Sequence, residues 1–174
     1  MARVLARRKT RSAIGSFSST QRRLRSVGPG VTACTVVGTL LRNFSVQGTL
    51  NQVRALILLD IIADAHLDIH REAHSTPWLT DIVFSAAQRL GYRRYFLNSP
   101  RAIEDDHIPF VELGVSAVDI IDLDYGPFNL YWHTPYDTVD KCRPASLAIV
   151  ARVVLATLAA LETNLASQPR GASS

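Results

Sequence analysis

Acidic residues are missing from the first third of the chain, and that absence divides the molecule. Met1 to Leu59 contains no Asp or Glu but holds ten of the nineteen basic residues, Lys9 and nine arginines. The remaining residues hold nine bases and all fifteen acids, a net of −6, so the overall +4 of the 174-residue chain describes neither piece. Cysteine is scarce as well. Cys34 and Cys142 form no CxxC pair and no even framework, which excludes a disulfide scaffold and a cysteine zinc finger. No apolar run reaches the roughly 18 residues of a membrane span. The N-terminus lacks the charged region, apolar core and small-residue cleavage site of a secretory signal, in that order. With 47% hydrophobic and 20% charged residues, the composition excludes a collagen-like or wholly disordered protein and suits about one domain.

Residues 1–47 are rich in Arg, Ser, Gly and Thr with no sustained period of 3.6 or 2, and are expected to be disordered. A transit peptide or a nucleic-acid-binding arm shares that composition. The folded part is expected over 48–166, followed by a frayed tail over 167–174. Val53 to Asp60 reads as a buried strand ending in a carboxylate. Ser75-Thr76-Pro77 predicts a helix start, Leu79, Ile82, Val83, Ala86, Ala87 and Leu90 line one face, and Gly91 is its stop. Tyr95-Phe96-Leu97 predicts a short strand followed by a loop from Asn98 to Asp106, and Val115 to Ile121 a further strand ending at Asp122. Pro144 opens a final helix through about Asn164. Strands alternating with helices, with acids at strand ends, predict an α/β sandwich whose site lies at the carboxyl edge of the sheet.

Three places concentrate polar groups beside apolar runs. Asp60 closes the first strand; alone, it reads first as a solvated strand end or a helix cap. Glu104-Asp105-Asp106-His107-Ile108-Pro109-Phe110 places three acids before an apolar turn, a costly arrangement unless a cation or hydrogen-bond donor faces them. In the bland reading, Asp105 or Asp106 caps a short helix. Tyr131-Trp132-His133-Thr134 sets an imidazole, the commonest metal ligand, beside an indole. His66, His70 and His74 fall at i, i+4 and i+8, but the segment alternates rather than turns. A surface-exposed cluster is expected there, not a metal site.

Taken together, ALILLDIIAD, IEDDHIPFVELGVSAVDIID and YWHTPYDTVDK resemble the glutaminyl-peptide cyclotransferases and the related bacterial zinc aminopeptidases. The resemblance runs from about Gly48 to Leu161 and covers the C-terminal half of that family's domain. It implies a three-layer α/β/α sandwich around a mixed sheet, here incomplete, and zinc as the cofactor. By the same resemblance His133 is a zinc ligand, Trp132 a wall of the substrate pocket, and Ile103 an apolar pocket residue. Asp106 is the acid of the catalytic network. Asp60 either joins that network or ligates a second zinc. The implied substrate is a peptide N-terminus, cyclised from glutamine with loss of ammonia or removed by hydrolysis. Family members are often extracytoplasmic, which this N-terminus does not reveal. The resemblance indicates neither an oligomeric state nor a nucleic-acid partner.

The family's motif also needs an upstream Asp ligand and a Glu-Glu pair, and no acid precedes Asp60. A single histidine cannot hold a catalytic zinc, which takes about three protein ligands. The chain as it stands is therefore expected not to turn over. Joining the third base of each codon from Ser19 onward to the first two of the next permits D-x-E-E-A-x-x-x-W-[ST]-x-x-D-S-L-Y-G-S-R-H, which resembles the family segment just upstream of LLD. Residues up to about Phe44 to Gln47 are accordingly expected to be out of frame relative to the family. A truncated, frame-disrupted family member is the leading reading. A non-catalytic binding protein and a basic-tailed nucleic-acid-binding protein are the alternatives. Half a sandwich would also expose sheet edges and apolar faces.

Overall fold

The computed structural model describes residues 2–8, 11–17 and 35–167, the first two as backbone. In chain order these form β1 (Ala2–Arg8), β2 (Arg11–Phe17), α1 (Thr35–Val46), β3 (Val53–Asp60), β4 (Ile69–Glu72), α2 (Pro77–Arg89), β5 (Phe96–Arg101), α3 (Ile108–Glu112), β6 (Ala117–Ile121) and α4 (Pro144–Ser167). A four-stranded sheet runs β2-β1-β3-β6, with β3 and β6 parallel and β1 antiparallel to both β2 and β3. β4 and β5 form a separate parallel pair.

β3 is apolar from Ala55 to Leu59 because both its faces are covered there. Ala55, Ile57 and Leu59 pack with Leu79, Val83, Ala86 and Ala87 of α2 and with Val150 and Val153 of α4. Leu56 and Val53 pack on the other side with Val37 and Leu41 of α1 and Phe110 of α3. Helices on both faces of a mixed sheet give the expected α/β/α layering, with a partial sheet. Asp60, at the C-terminal end of β3, lies opposite Ile121 of β6.

Several boundaries differ from expectation. Residues 1–47 are not structureless where described: β1, β2 and α1 all fall inside them. α1 forms because Val37 and Leu41, four apart, bury one helical face against β3. Residues 18–34 and 168–174 lie outside the described residues. β5 continues to Arg101, into the segment expected to be loop. α4 is also long and apolar enough over Pro144–Thr163 to match a membrane span by length and composition, which corrects the expectation of no such segment. Its apolar residues are spread around the helix because one side packs in the core through Ile149, Val150, Val153 and Leu161 while Leu147 and Leu155 remain outside.

Ser75 and Thr76 do not cap α2 with their hydroxyls, despite their position. They cover the free edge of β6 instead. The Ala117 amide donates to Thr76 Oγ1 at 2.9 Å, and the Asp119 amide donates to Ser75 Oγ at 3.0 Å. The Thr76 amide closes the pairing onto the Ala117 carbonyl at 2.7 Å. An exposed strand edge is an invitation to aggregate, and these two residues satisfy it from within the chain.

Candidate active-site half

Asp60 stands where β3 stops. Its Oδ1 accepts the amide of Ile61 at 2.9 Å, and Ile61 sits at φ 45°, a left-handed conformation costly for a β-branched residue. Strain of this kind persists only where its surroundings impose it. Burial pushes the Asp60 carboxyl above its ordinary range and Asp105 adds repulsion, while His133 pulls in the opposite direction. Asp105 and His133 therefore both lie within electrostatic reach of Asp60.

Asp106 belongs to the same group. Burial raises its carboxyl, and Asp105 and Asp60 raise it further. Asp105 also turns back on its own backbone: its Oδ1 accepts the Asp106 amide at 2.7 Å and its carbonyl accepts the Ile108 amide at 3.0 Å, opening α3. Asp105 reads from the sequence only as a helix cap, yet it is the common electrostatic neighbour of Asp60, Asp106 and Asp119. Asp119, on β6, is 2% exposed, and neither of its carboxyl oxygens closes a hydrogen bond of normal geometry. Burial, then Asp105, Asp60 and Glu72, push it well above the usual carboxylate range.

Glu72 holds this loop in place. It is 4% exposed and accepts the amides of His74 at 2.9 Å, Ser75 at 2.6 Å and Ile103 at 3.3 Å. The Ser75 hydroxyl adds a bond at 2.9 Å, and His107 Nε2 one at 2.9 Å. Burial pushes the Glu72 carboxyl up, but the bonds from His107, His74 and Ser75 outweigh it and leave it at about 2. His107 is fully buried; its Nδ1 lies 3.7 Å from Asp119 and has no hydrogen-bond partner. Ile103 is placed through its backbone, its amide on Glu72 and its carbonyl 3.2 Å from His74 Nδ1.

His133 and Trp132 come from a different kind of segment. Phe128, Asn129 and His133 all have positive φ, at 53°, 59° and 57°. Trp132 is 39% exposed, with its ring 5.0 Å from the His133 ring. The loop is tied at its base by the Gly126 amide on Asp64 at 3.3 Å and the Tyr125 hydroxyl on Asp137 at 2.6 Å. The histidine triplet comes apart. His66 is exposed, but His70, on a strand, is 6% exposed and points into the fold, which corrects the expectation of a surface cluster.

The described residues do not make a complete zinc site. Among the described residues, no three of His, Cys, Asp and Glu stand close enough to hold a metal ion. Asp60 and His133 offer at most a partial set, one carboxylate and one imidazole, where a catalytic zinc needs about three ligands. What the arrangement supplies is a group of carboxyls with raised affinity for protons beside an imidazole and an indole, at the carboxyl edge of the sheet.

Comparison with known proteins bears on the family and the fold. A crystallised glutaminyl cyclase from an Acidobacteriales bacterium is 40% identical, with a TM-score of 0.70, over 74% of this chain and 45% of that one. A leucine aminopeptidase precursor from Bacteroides thetaiotaomicron is 29% identical, with a TM-score of 0.63, over 70% of this chain and 42% of that one. The mouse glutaminyl-peptide cyclotransferase-like protein is 38% identical over 60 residues, 34% of this chain and 15% of its own length. The chain thus spans less than half the length of each of these relatives. The family model described as peptidase family M28 matches residues 41–158, most of the chain, and the chain belongs to that family.

Proposed function

We propose that this chain carries one half of a glutaminyl-cyclase-like site and does not turn over by itself. The observation that carries the reading is Asp60 at the end of β3, which lies within electrostatic reach of Asp105, Asp106 and His133. In an intact relative with the same residues, a peptide N-terminus would lie against Trp132 and Ile103. A carboxyl of this group would take the proton from the attacking α-amine and pass it to the departing ammonia, work suited to an acid whose proton affinity burial has raised. Zinc is the family's expected cofactor and His133 its expected ligand here, with Asp60 a ligand only where a second zinc is bound. The higher identity to the glutaminyl cyclase than to the aminopeptidase precursor supports cyclisation over hydrolysis.

The incomplete ligand set supports the absence of turnover. Calorimetric titration of the chain with zinc should show weak binding without defined stoichiometry, and a peptide with N-terminal glutamine should release no ammonia. Tight one-to-one zinc binding, or ammonia release lost on Asp106→Asn, would overturn the reading. The chain is further proposed to be a truncated, frame-disrupted copy of the family gene, with the shift ending near Phe44 to Gln47. The permitted Glu-Glu and downstream pattern in the shifted frame supports this. Sequencing the gene decides it: codons for Gln21 to Arg23 that cannot yield Glu-Glu in that frame rule it out.

A further inference from the structure

β5 does not run in plain register with β4. Ile69 pairs with Phe96 and His70 with Leu97, but Arg71 pairs with Pro100, which leaves Asn98 and Ser99 as extra residues on β5. A bulge of this kind re-aims side chains that a regular strand would send elsewhere. Here Asn98 Oδ1 accepts from Arg71 Nε at 2.5 Å, and Ser99 Oγ lies 2.7 Å from His70 Nδ1. The other nitrogen of that ring, Nε2, lies 3.1 Å from Asp124 Oδ2. Arg101 holds Asp124 in turn, with one guanidinium nitrogen on each carboxylate oxygen at 3.1 Å.

The proton positions follow from the partners. An ionised carboxylate only accepts, so Nε2 carries the hydrogen and donates to Asp124. In the neutral ring Nδ1 then presents its lone pair, and the Ser99 hydroxyl donates to it. The base is buried at 6% exposure, while Ser99 stands exposed. A nucleophile hydrogen-bonded to a base, itself oriented by a fixed acid, is the arrangement that activates a hydroxyl.

We propose that Ser99, His70 and Asp124 form a second reactive site, in which Ser99 attacks small activated acyl esters. Ser99 Oγ bonds to the acyl carbon as its proton passes to His70 Nδ1. The bond to the leaving alcohol then breaks, and the alcohol takes that proton. Water attacks the resulting acyl-Ser99 through the same base, releasing the carboxylic acid and restoring the hydroxyl. None of Asp60, Asp105, Asp106 or His133 takes part, so the site is independent of the zinc-enzyme reading and of the missing ligands.

The test treats the full chain with p-nitrophenyl acetate and with a fluorophosphonate probe, mapping adducts by peptide mass spectrometry. One adduct, on Ser99, is expected. Ser99→Ala should abolish it, and His70→Ala should slow it roughly 100-fold, the usual contribution of a positioned base. Because His70 is buried, Asp124→Asn is the decisive variant. Asp124 is half-exposed, and an amide in its place can donate to Nε2 and so invert the tautomer. Labelling should then fall roughly 10- to 100-fold with the thermal melt little changed. No adduct on Ser99, or an adduct whose rate is the same in Asp124→Asn, overturns the proposal and leaves the bulge as a structural clip.

Discussion

The two segments that build the candidate site are held in opposite ways. Residues 103–107 are pinned from inside: Glu72 gathers five donors from His74, Ser75, Ile103 and His107, and none of these bonds depends on anything outside the chain. Residues 126–133 are tied at the base but carry left-handed backbone at Phe128, Asn129 and His133, with Phe128 fully exposed at the tip. Acids are preorganised in this chain, whereas the ring pair Trp132 and His133 rests on a strained, solvent-facing loop. Preorganised groups lose little free energy to ordering when a ligand arrives, whereas a strained loop adds its own cost. The acidic side of the site is therefore the sturdier half.

The strongest test of that contrast removes the hub. Glu72→Ala leaves buried donors from His107 and three amides unmet and is expected to cost about 3–5 kcal/mol in urea unfolding, the range for breaking a buried pair from one side. The same hub sets a pH dependence. The Glu72 carboxyl titrates at about 2 in the fold against 4.5 ordinarily, so the unfolded state binds more protons between those values. Its stabilisation is complete above about pH 5 and is lost as pH falls from about 4.5 towards 2. Glu72→Gln should flatten that acid limb.

Asp122 gives the opposite sign. It is fully buried and accepts the amides of Asp68 at 3.0 Å and Asp124 at 3.1 Å, yet burial outweighs these bonds and leaves it at about 6 against 3.8. Between those values the folded state binds the extra proton, so this group stabilises on acidification and its contribution falls as pH rises from about 4 to 6. The difference in stability between wild type and Asp122→Asn should shrink across that window, by on the order of 2–3 kcal/mol at most. A difference that is flat with pH would show that Asp122 titrates normally.

The sequence revealed the elements better than the site. The run of Leu and Ile in β3 was legible because burial on both faces removes alternation, and α2 because its apolar spacing and Gly91 stop agree. Gly91 does adopt φ +77° just beyond the helix. Asp60 followed from the strand end. The choice among Glu104, Asp105 and Asp106 did not, because consecutive loop residues share no period that says which faces inward. Glu72 and His107 meet across 35 positions, and nothing local announces the pairing. The serine bulge was invisible for the same reason, since a two-residue slip shows only once the partner strand is known. The hydroxyls of Ser75 and Thr76 fitted a cap in sequence but serve an edge in space.

The flexible side of the contrast is tested with two substitutions of opposite expected sign. Gly126 has φ +71°, and a Cβ there would stand 2.2 Å from the Tyr131 ring. Gly126→Ala should cost about 1–3 kcal/mol and displace Tyr131 from its 5.5 Å edge contact with Tyr125, visible as lost ring shifts in the NMR spectrum. Phe128→Gly is the smallest effect and the most informative. The side chain packs on nothing, so removing it sacrifices no burial, and glycine adopts φ 53° without the penalty that phenylalanine meets. A gain of a few tenths to about 1 kcal/mol is expected, partly offset by the greater freedom of glycine in the unfolded chain. A clear loss instead would mean that Phe128 is packed in solution, and that the loop owes its conformation to contacts this side chain makes.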